Sequence, residues 1–489
     1  MMRVKCNFNF FVLGTAATAF LLWAFVLWRK YQFFGYCDWD LALFSQGMWS
    51  LIHADGYSSI FERHILSNHA NLIALIILPV YFVVQHPLTL VFLKVVSYIL
   101  AGVGLFYLSK PRVGRVYALW LMGLYYFYVP NVFGLLHDFD FESLSPAFLV
   151  GLLYFFEKRR WWPFMITAML LMTIKENMPL VVFAFGLYGL LSLKDRIAWG
   201  VVPMALSVTM FLILVKIFIP LMSTGHLSAP LPYAGNYAYL WQDGWWAGVA
   251  HVGKTFFQPA NTHLMQEWFG PLCYVPLFGL KALFFVAPLF MQHFMSTSKT
   301  EHMIIFYYGM ALAPFIFLSM AMSLEHLKKV LSSRAFFYLV ALITLVFFQH
   351  WSGCLPKFFQ RMSCSYSGCA VSKNTLKEKW SLLRRIPDKA PVAASFSFLT
   401  PLSQRFEVYP FYKLYSDRFQ HGENPWRLPA HVAYAIIDFD DPWMRAELPD
   451  PESRSLDAVM RRLGGSSWEI VGSSGQTVLF RKVAQGGGV

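Results

Sequence analysis

Asp38 and Asp40 stand one residue apart in Tyr36-Cys37-Asp38-Trp39-Asp40-Leu41, just after the first long apolar run of the chain. A carboxylate at a membrane boundary is partly desolvated, which raises its pKa toward neutrality and suits it to take a proton from an acceptor hydroxyl. The same pair could instead hold a divalent metal bound to a phosphate. A third reading is local: Asp is a favoured helix N-cap, and Asp40 precedes the amphipathic stretch Leu41 to Ile52.

Lys175-Glu176 is a second candidate, because ionisable groups inside an apolar stretch cost several kcal/mol (about 2.5 or more each) unless they pair or reach water. Lys175 could line a cavity and bind a phosphate; alternatively the helix ends near Ile174, with Pro179 close behind, and both residues sit at an interface. Asp138 and Asp140, in His137-Asp138-Phe139-Asp140-Phe141-Glu142, either bind a cation or form a solvated turn between helices. His53, Asp55, Glu62 and His64 share one loop but have no fixed metal-ligand spacing. The sequence has no Gly-rich phosphate loop, serine nucleophile elbow or Cys-x-x-Cys.

The elements that must position these groups are read from composition. Apolar residues make up 57% of the chain and charged residues 14%, against about 45–50% and 25% in soluble domains, so much of the surface faces lipid. Residues 350 to 489 hold 18 of the 40 Lys+Arg and 13 of the 27 Asp+Glu, so the chain divides near residue 350. The first apolar run, Phe10 to Trp28, ends in Arg29-Lys30 without a small-residue cleavage site and reads as a retained transmembrane helix.

Further runs cover 70 to 84, 88 to 108, 116 to 136, 143 to 156, 163 to 193, 197 to 221, 271 to 290, 303 to 322 and 333 to 349, and the long one is interrupted by Pro179. The expectation is a mainly α, polytopic transmembrane bundle of ten or eleven helices with a small C-terminal α/β soluble domain. It spans 1–349 with external loops 29–69 and 222–270, then a linker 350–385 and the soluble domain 386–485. Loop 222–270 is rich in Tyr233, Tyr237, Tyr239, Trp241, Trp245, Trp246 and Trp268, rings that favour the headgroup level, and is either a lid or a loop resting on the bilayer.

In the soluble part, strands are expected at Pro391 to Ser395, Phe406 to Tyr409 and His431 to Asp438, and a hairpin from Trp468 to Val471 and Thr477 to Arg481. Helices are expected at Leu399 to Arg405 and Leu456 to Leu463, and Gly486 to Val489 as a frayed end. The net charge of +13 lies at the ends of apolar runs, which points to anionic lipid headgroups and away from nucleic acid. Cys6, Cys37 and Cys273 are isolated; Cys354, Cys364 and Cys369 cluster, and the choice lies between one disulfide and unpaired thiols.

The run Trp39-Asp40-Leu41-Ala42-Leu43-Phe44-Ser45-Gln46-Gly47-Met48-Trp49-Ser50 resembles the Phe-Asp-Leu-Gly-Ile-Phe-Asp-Gln-Ala-Leu-Trp-Ser signature of a bacterial and archaeal family of multi-pass membrane proteins, domain-of-unknown-function family 2079. Asp40, Gln46 and Trp49 fall on its marked positions. Asn68-His69 with Leu78-Pro79-Val80-Tyr81, Ile174-Lys175-Glu176-Asn177, and Val392 to Tyr409 agree as well. Two positions depart: Asp140 stands where the family has histidine, and Asn177 where it has an acid.

That family is similar in layout to the GT-C glycosyltransferases, which take a sugar from a polyprenyl-phosphate carrier and use an acid in the first external loop. The resemblance implies Asp40 as catalytic base and Asp38 as its alternative or a second metal ligand, with a divalent metal as an open possibility. It implies His69 on a phosphate or orienting the acceptor, and substrate contacts from Gln46, Trp49, Lys175, Glu176, Asp138 and Asp140; for His69 the local alternative is a helix cap. It also implies a prokaryotic inner-membrane location, and membrane lipid and a polyprenyl-phosphate-linked sugar as partners. The rival reading is a non-catalytic membrane protein, either an anionic-lipid transporter or a scaffold. A cytoplasmic N-terminus is expected, because the resemblance implies that the Asp40 loop faces the carrier-lipid side, although with every run crossing once, Arg29, Lys30, Lys110, Arg112, Arg115 and Lys158 to Arg160 would fall outside, against the positive-inside rule.

Overall fold

Hydrophobic length decides which runs become spans. In chain order the helices concerned are α1 (Phe8–Gln32), α2 (Asp40–His53), α3 (Ile73–Val83), α4 (Pro87–Val113), α5 (Arg115–Tyr126), α6 (Val129–Leu136), α7 (Ser145–Glu157), α8 (Trp161–Met172) and α9 (Met178–Ser192). The computed structural model describes residues 8–224, 234–242, 244–362, 373–416 and 426–483. Tyr233, Cys6, Cys364, Cys369 and the expected frayed end lie outside the described residues.

Among the described residues, α1, α4, Ile197–Ser223, Gly309–Val330 and Ser333–Met362 are long and apolar enough to cross a membrane, and α5 with α6 form an apolar pair bent by 42°, a broken span or a re-entrant loop. The helices α3, α8 and α9 are apolar but only 11, 12 and 15 residues long. The run 163–193 is thus two helices: Pro179 sits in the first turn of α9, where its missing N–H costs no intrahelical bond, and Lys175-Glu176 lie in the break before it. Phe164 lies 6.1 Å from Phe185, so α8 and α9 fold back on each other. The expected span at 271–290 is corrected to short pieces, Gly270–Leu272, Val275–Phe278, Leu280–Phe284 and Ala287–Met295, broken by Pro271, Pro276, Gly279 and Pro288.

By compactness the chain forms two units. Unit 1 is Met1–Ala24, Leu66–Ile76 and Phe92–Leu355; unit 2 is Phe25–Ile65, Ile77–Val91 and Pro356–Val489. Within unit 1, broken helices would strand backbone carbonyls in an apolar setting, where each must find a donor. At the α5–α6 bend Tyr98 Oη donates to the Tyr125 carbonyl at 2.7 Å and Trp23 Nε1 to the Tyr126 carbonyl at 3.1 Å. Asn131 Nδ2 adds a second donor to the Tyr125 carbonyl at 3.2 Å. Close packing does the rest: a Cβ on Gly189 would overlap the Trp199 carbonyl, so glycine lets α9 and the next helix meet.

Unit 2 is built on a five-stranded sheet. A two-residue hairpin, β1 (Tyr57–Ser58) and β2 (Arg63–His64), precedes β3 (Val392–Ala394), β4 (Val408–Pro410), β5 (Tyr434–Asp438), β6 (Trp468–Ser474) and β7 (Thr477–Lys482). The sheet order is β4-β3-β5-β7-β6, with β3 parallel to both neighbours and β7 antiparallel to β5 and β6. Ala393, Ala435, Ile437, Val459 and Phe480 form its core. Ser455 caps Leu456–Leu463 through the Ala458 amide, and Gly464 at φ 114° ends it, as a left-handed C-cap should.

One boundary differs from expectation. The linker expected from 350 begins later, because Ser333–Met362 continues as helix past it, and Lys373–Leu383 is helical too. Most of loop 29–69 belongs, with Phe25–Ile65, to the same unit as the C-terminal sheet. Cys37, expected to be isolated, is disulfide-bonded, whereas Cys354 and Cys273 are free.

Candidate functional site

The nominated residues divide between the units: His69, Asp138, Asp140, Lys175 and Glu176 in unit 1, and Asp38, Asp40, Gln46 and Trp49 in unit 2. In unit 1 the α8–α9 break turns its charges inward. Lys175 Nζ lies 2.7 Å from Glu142 Oε2, with the two side chains 6% and 3% exposed. The rings of Tyr307 and Tyr308 lie 5.5 and 5.9 Å from the same ammonium. Glu176 turns the other way, accepting from His69 Nδ1 at 2.6 Å and from the Ala70 amide at 3.2 Å. Asn71 Nδ2 donates to the Ile174 carbonyl at 2.8 Å and ties the His69 loop to the break.

Neighbouring residues extend this polar region. Asn177, beside Glu176, donates to Gln292 at 2.9 Å. Next to Gln292, His293 Nδ1 lies 3.3 Å from Glu301 Oε2, and Ser296 Oγ donates to Glu301 Oε1 at 3.1 Å. Within the aromatic loop, the Tyr237 hydroxyl donates to Glu301 Oε2 at 3.4 Å. Glu142, His293 and Glu301 were not legible as site residues. Glu142 closes the acidic run that begins at Asp138, but nothing in the sequence says that it meets a lysine 33 positions later.

Asp140 and Asp138 have a different setting from the solvated turn expected of them, for both are buried. Asp140 Oδ1 accepts from the Glu142 amide at 2.7 Å and so caps the turn Phe141–Leu144 that leads into α7. Lys94, fully buried on α4, donates to the carbonyls of Gly134, His137 and Asp138 at 3.3, 2.8 and 3.3 Å. That places a cation on the carbonyl end of α6, where the helix dipole is negative. Lys94 is thereby a structural charge.

In unit 2 Asp40 is the first residue of α2, with Trp39 at the cap position, so the expected Asp40 N-cap is replaced by an acid inside the first turn. Asp38 Oδ2 lies 3.9 Å from Arg361. Gln46 was expected to contact substrate, yet it is fully buried. Its amide nitrogen reaches Ser59 Oγ and the Arg405 and Phe406 carbonyls at 2.9, 3.1 and 3.2 Å. Its Oε1 accepts from Ser58 and the Ile60 amide at 2.7 and 3.2 Å. All its capacity goes to joining α2, the β1 segment and the C-terminal domain. Trp49 stacks on His53 at 4.2 Å and meets Phe406 edge-on at 4.7 Å.

Glu62, weighed as a metal ligand, pairs with the buried Lys413 at 3.1 Å. Burial lowers the Lys413 pKa, and Glu62 opposes that fall. Among the described residues no three His, Cys, Asp or Glu side chains converge as a metal site requires.

A family of multi-pass chains, "Predicted membrane protein (DUF2079)", matches residues 30–462. This chain belongs to that family. The match takes in every residue discussed above from Asp38 to Glu301. No curated protein matches at a significant level. Among solved structures, the DUF2079 chain is similar to ArnT from Cupriavidus metallidurans bound to undecaprenyl phosphate, at 12% identity and TM-score 0.49 over 97% of this chain and 98% of that one. It is also similar to the archaeal oligosaccharyltransferase AglB from Archaeoglobus fulgidus in complex with an inhibitory peptide and a dolichol-phosphate, at 11% identity and TM-score 0.43 over 88% and 70%.

Proposed function

We propose that this DUF2079 protein is a GT-C-like glycosyltransferase that moves a sugar from a polyprenyl-phosphate carrier to an acceptor hydroxyl. The observation that carries the reading is the pair Lys175–Glu142, buried at a break between apolar helices beside His69–Glu176. A buried ion pair contributes less to stability than apolar residues of similar volume would, so its presence favours a use in binding. Lys175 is assigned to the carrier phosphate, with His69 held in orientation by Glu176. Independently of that assignment, the family resemblance makes Asp40 the candidate base: a carboxylate takes the acceptor proton as the hydroxyl oxygen attacks the anomeric carbon and the carbon–oxygen bond to phosphate breaks, the phosphate leaving on the carrier.

Carrier binding tests the phosphate assignment without requiring turnover. Native mass spectrometry of the purified protein with undecaprenyl phosphate is expected to show a complex that Lys175→Met weakens about ten- to a hundredfold, the loss of one charge-assisted contact. Equal binding by both proteins would remove Lys175 from the site.

We infer that α3 accounts for part of the orientation conflict in the sequence. The Gln32 carbonyl accepts from Trp380 Nε1 at 3.2 Å, and the Gln85 carbonyl accepts from the Gln404 amide, so the end of α1 and the start of α4 both meet the C-terminal domain. At about 16 Å long, α3 is too short to cross between them. With α3 not crossing, Lys110, Arg112 and Arg115 return to the side of the N-terminus, the cytoplasm under the positive-inside rule. The Cys37 disulfide fits an oxidising, external side for the Asp40 loop. With Cys273 and Cys354 replaced by serine, Asp55→Cys is expected to react with an impermeant maleimide on intact cells. Arg115→Cys is expected to react only after permeabilisation; the reverse pattern would overturn the orientation.

A further inference from the structure

Residues 36–40 join α1 to α2 and carry both carboxylates; Tyr36 is tied back to the Leu27 carbonyl and Trp39 meets Phe61, and further contacts lead to the C-terminal domain. Trp443 Nε1 donates to the Cys37 carbonyl at 3.0 Å. Asp441 holds Trp443 in place, its Oδ1 accepting from the amides of Trp443 and Met444 at 2.9 and 3.3 Å. The Trp443 ring lies 5.5 Å from Phe396, which in turn meets Trp39, between the two acids, at 6.5 Å. Beyond Asp40, Gln46 binds the Arg405 and Phe406 carbonyls, and Ser403 Oγ donates to Ser45 at 2.9 Å.

Phe396 follows β3 and Trp443 follows β5, neighbouring parallel strands. Both side chains therefore come from the carboxyl end of the parallel part of the sheet. That is the edge at which open α/β sheets present their functional loops.

We infer that the C-terminal domain is the platform that positions the Asp38–Asp40 loop, with Trp443 as its chief positioning residue. The catalytic meaning of this rests on the glycosyltransferase reading above. A general base must lie within hydrogen-bond reach of its proton, and a displacement of about 1 Å costs roughly a hundredfold in rate. The indole therefore acts on turnover through Asp40 and leaves carrier affinity alone.

Two substitutions test this in the full-length protein. Trp443→Phe keeps a ring and removes the N–H donor; Trp443→Ala removes both. Hydrogen exchange followed by mass spectrometry is expected to show residues 36–44 exchanging about five- to tenfold faster in Trp443→Ala, with a smaller rise in Trp443→Phe. Peptides from α8 serve as reference and should not change. Unchanged exchange at 36–44 in the folded Trp443→Phe and Trp443→Ala proteins overturns the platform. Where the wild type transfers sugar, kcat should fall in both variants with KM for the carrier held. Faster exchange at 36–44 in a protein whose wild type transfers nothing keeps the platform and removes the enzyme reading instead.

Discussion

Asp40→Asn is expected to lower sugar transfer by about 10²- to 10⁴-fold, the usual contribution of a general base. Asn keeps the size of the side chain and its acceptor oxygen but cannot take a proton at neutral pH. Asp40 lies in the first turn of α2, where an acid gains about 0.3–1 kcal/mol from the helix dipole. Thermal unfolding of Asp40→Asn measured beside the transfer assay separates a loss of chemistry from a loss of fold. Asp38→Asn should have a much smaller effect, because Asp38 is not assigned as the base and its contact with Arg361 is long, 3.9 Å, with both side chains 26% exposed. Partly solvated pairs of that kind are worth about 0–1 kcal/mol. A large loss from Asp38→Asn with none from Asp40→Asn, in radiolabelled transfer assays, would exchange their roles.

Glu142→Ala is expected to destabilise the protein by about 3–5 kcal/mol, because it leaves the Lys175 ammonium buried without its counter-charge. The double substitution Lys175→Met with Glu142→Gln removes both charges and should recover most of that loss, while remaining unable to bind carrier. Thermal unfolding in detergent reads the first effect and carrier binding the second. A double variant that binds carrier as the wild type does would make the pair a structural feature only.

How much of this was legible in the sequence follows from the range of each interaction. Lys175 and Glu176 drew notice because charge inside an apolar run is costly, and Pro179 marked the break between α8 and α9. Their partners were hidden, for Glu142 and His69 lie 33 and 107 positions away and no local pattern encodes such pairings. The broken segment at 271–290 carried its signals, Pro271, Pro276 and Gly279, but overall apolarity outweighed them in the reading.

The strands of the C-terminal sheet were visible because alternation and turn residues are local. Its hold on residues 36–65 was not, since Trp443 and Cys37 are 406 positions apart. Gln46 teaches a related lesson. Its place in a family signature suggested substrate, whereas burial and full hydrogen bonding show a residue that joins α2 to the sheet.

The most direct test is transfer of radiolabelled sugar by the purified wild-type protein from a panel of polyprenyl-phosphate donors. The account predicts label moving from at least one donor to an acceptor, with transfer lost in the folded Asp40→Asn protein. No transfer from any donor, together with no detectable carrier binding, would contradict it and favour a transporter or scaffold.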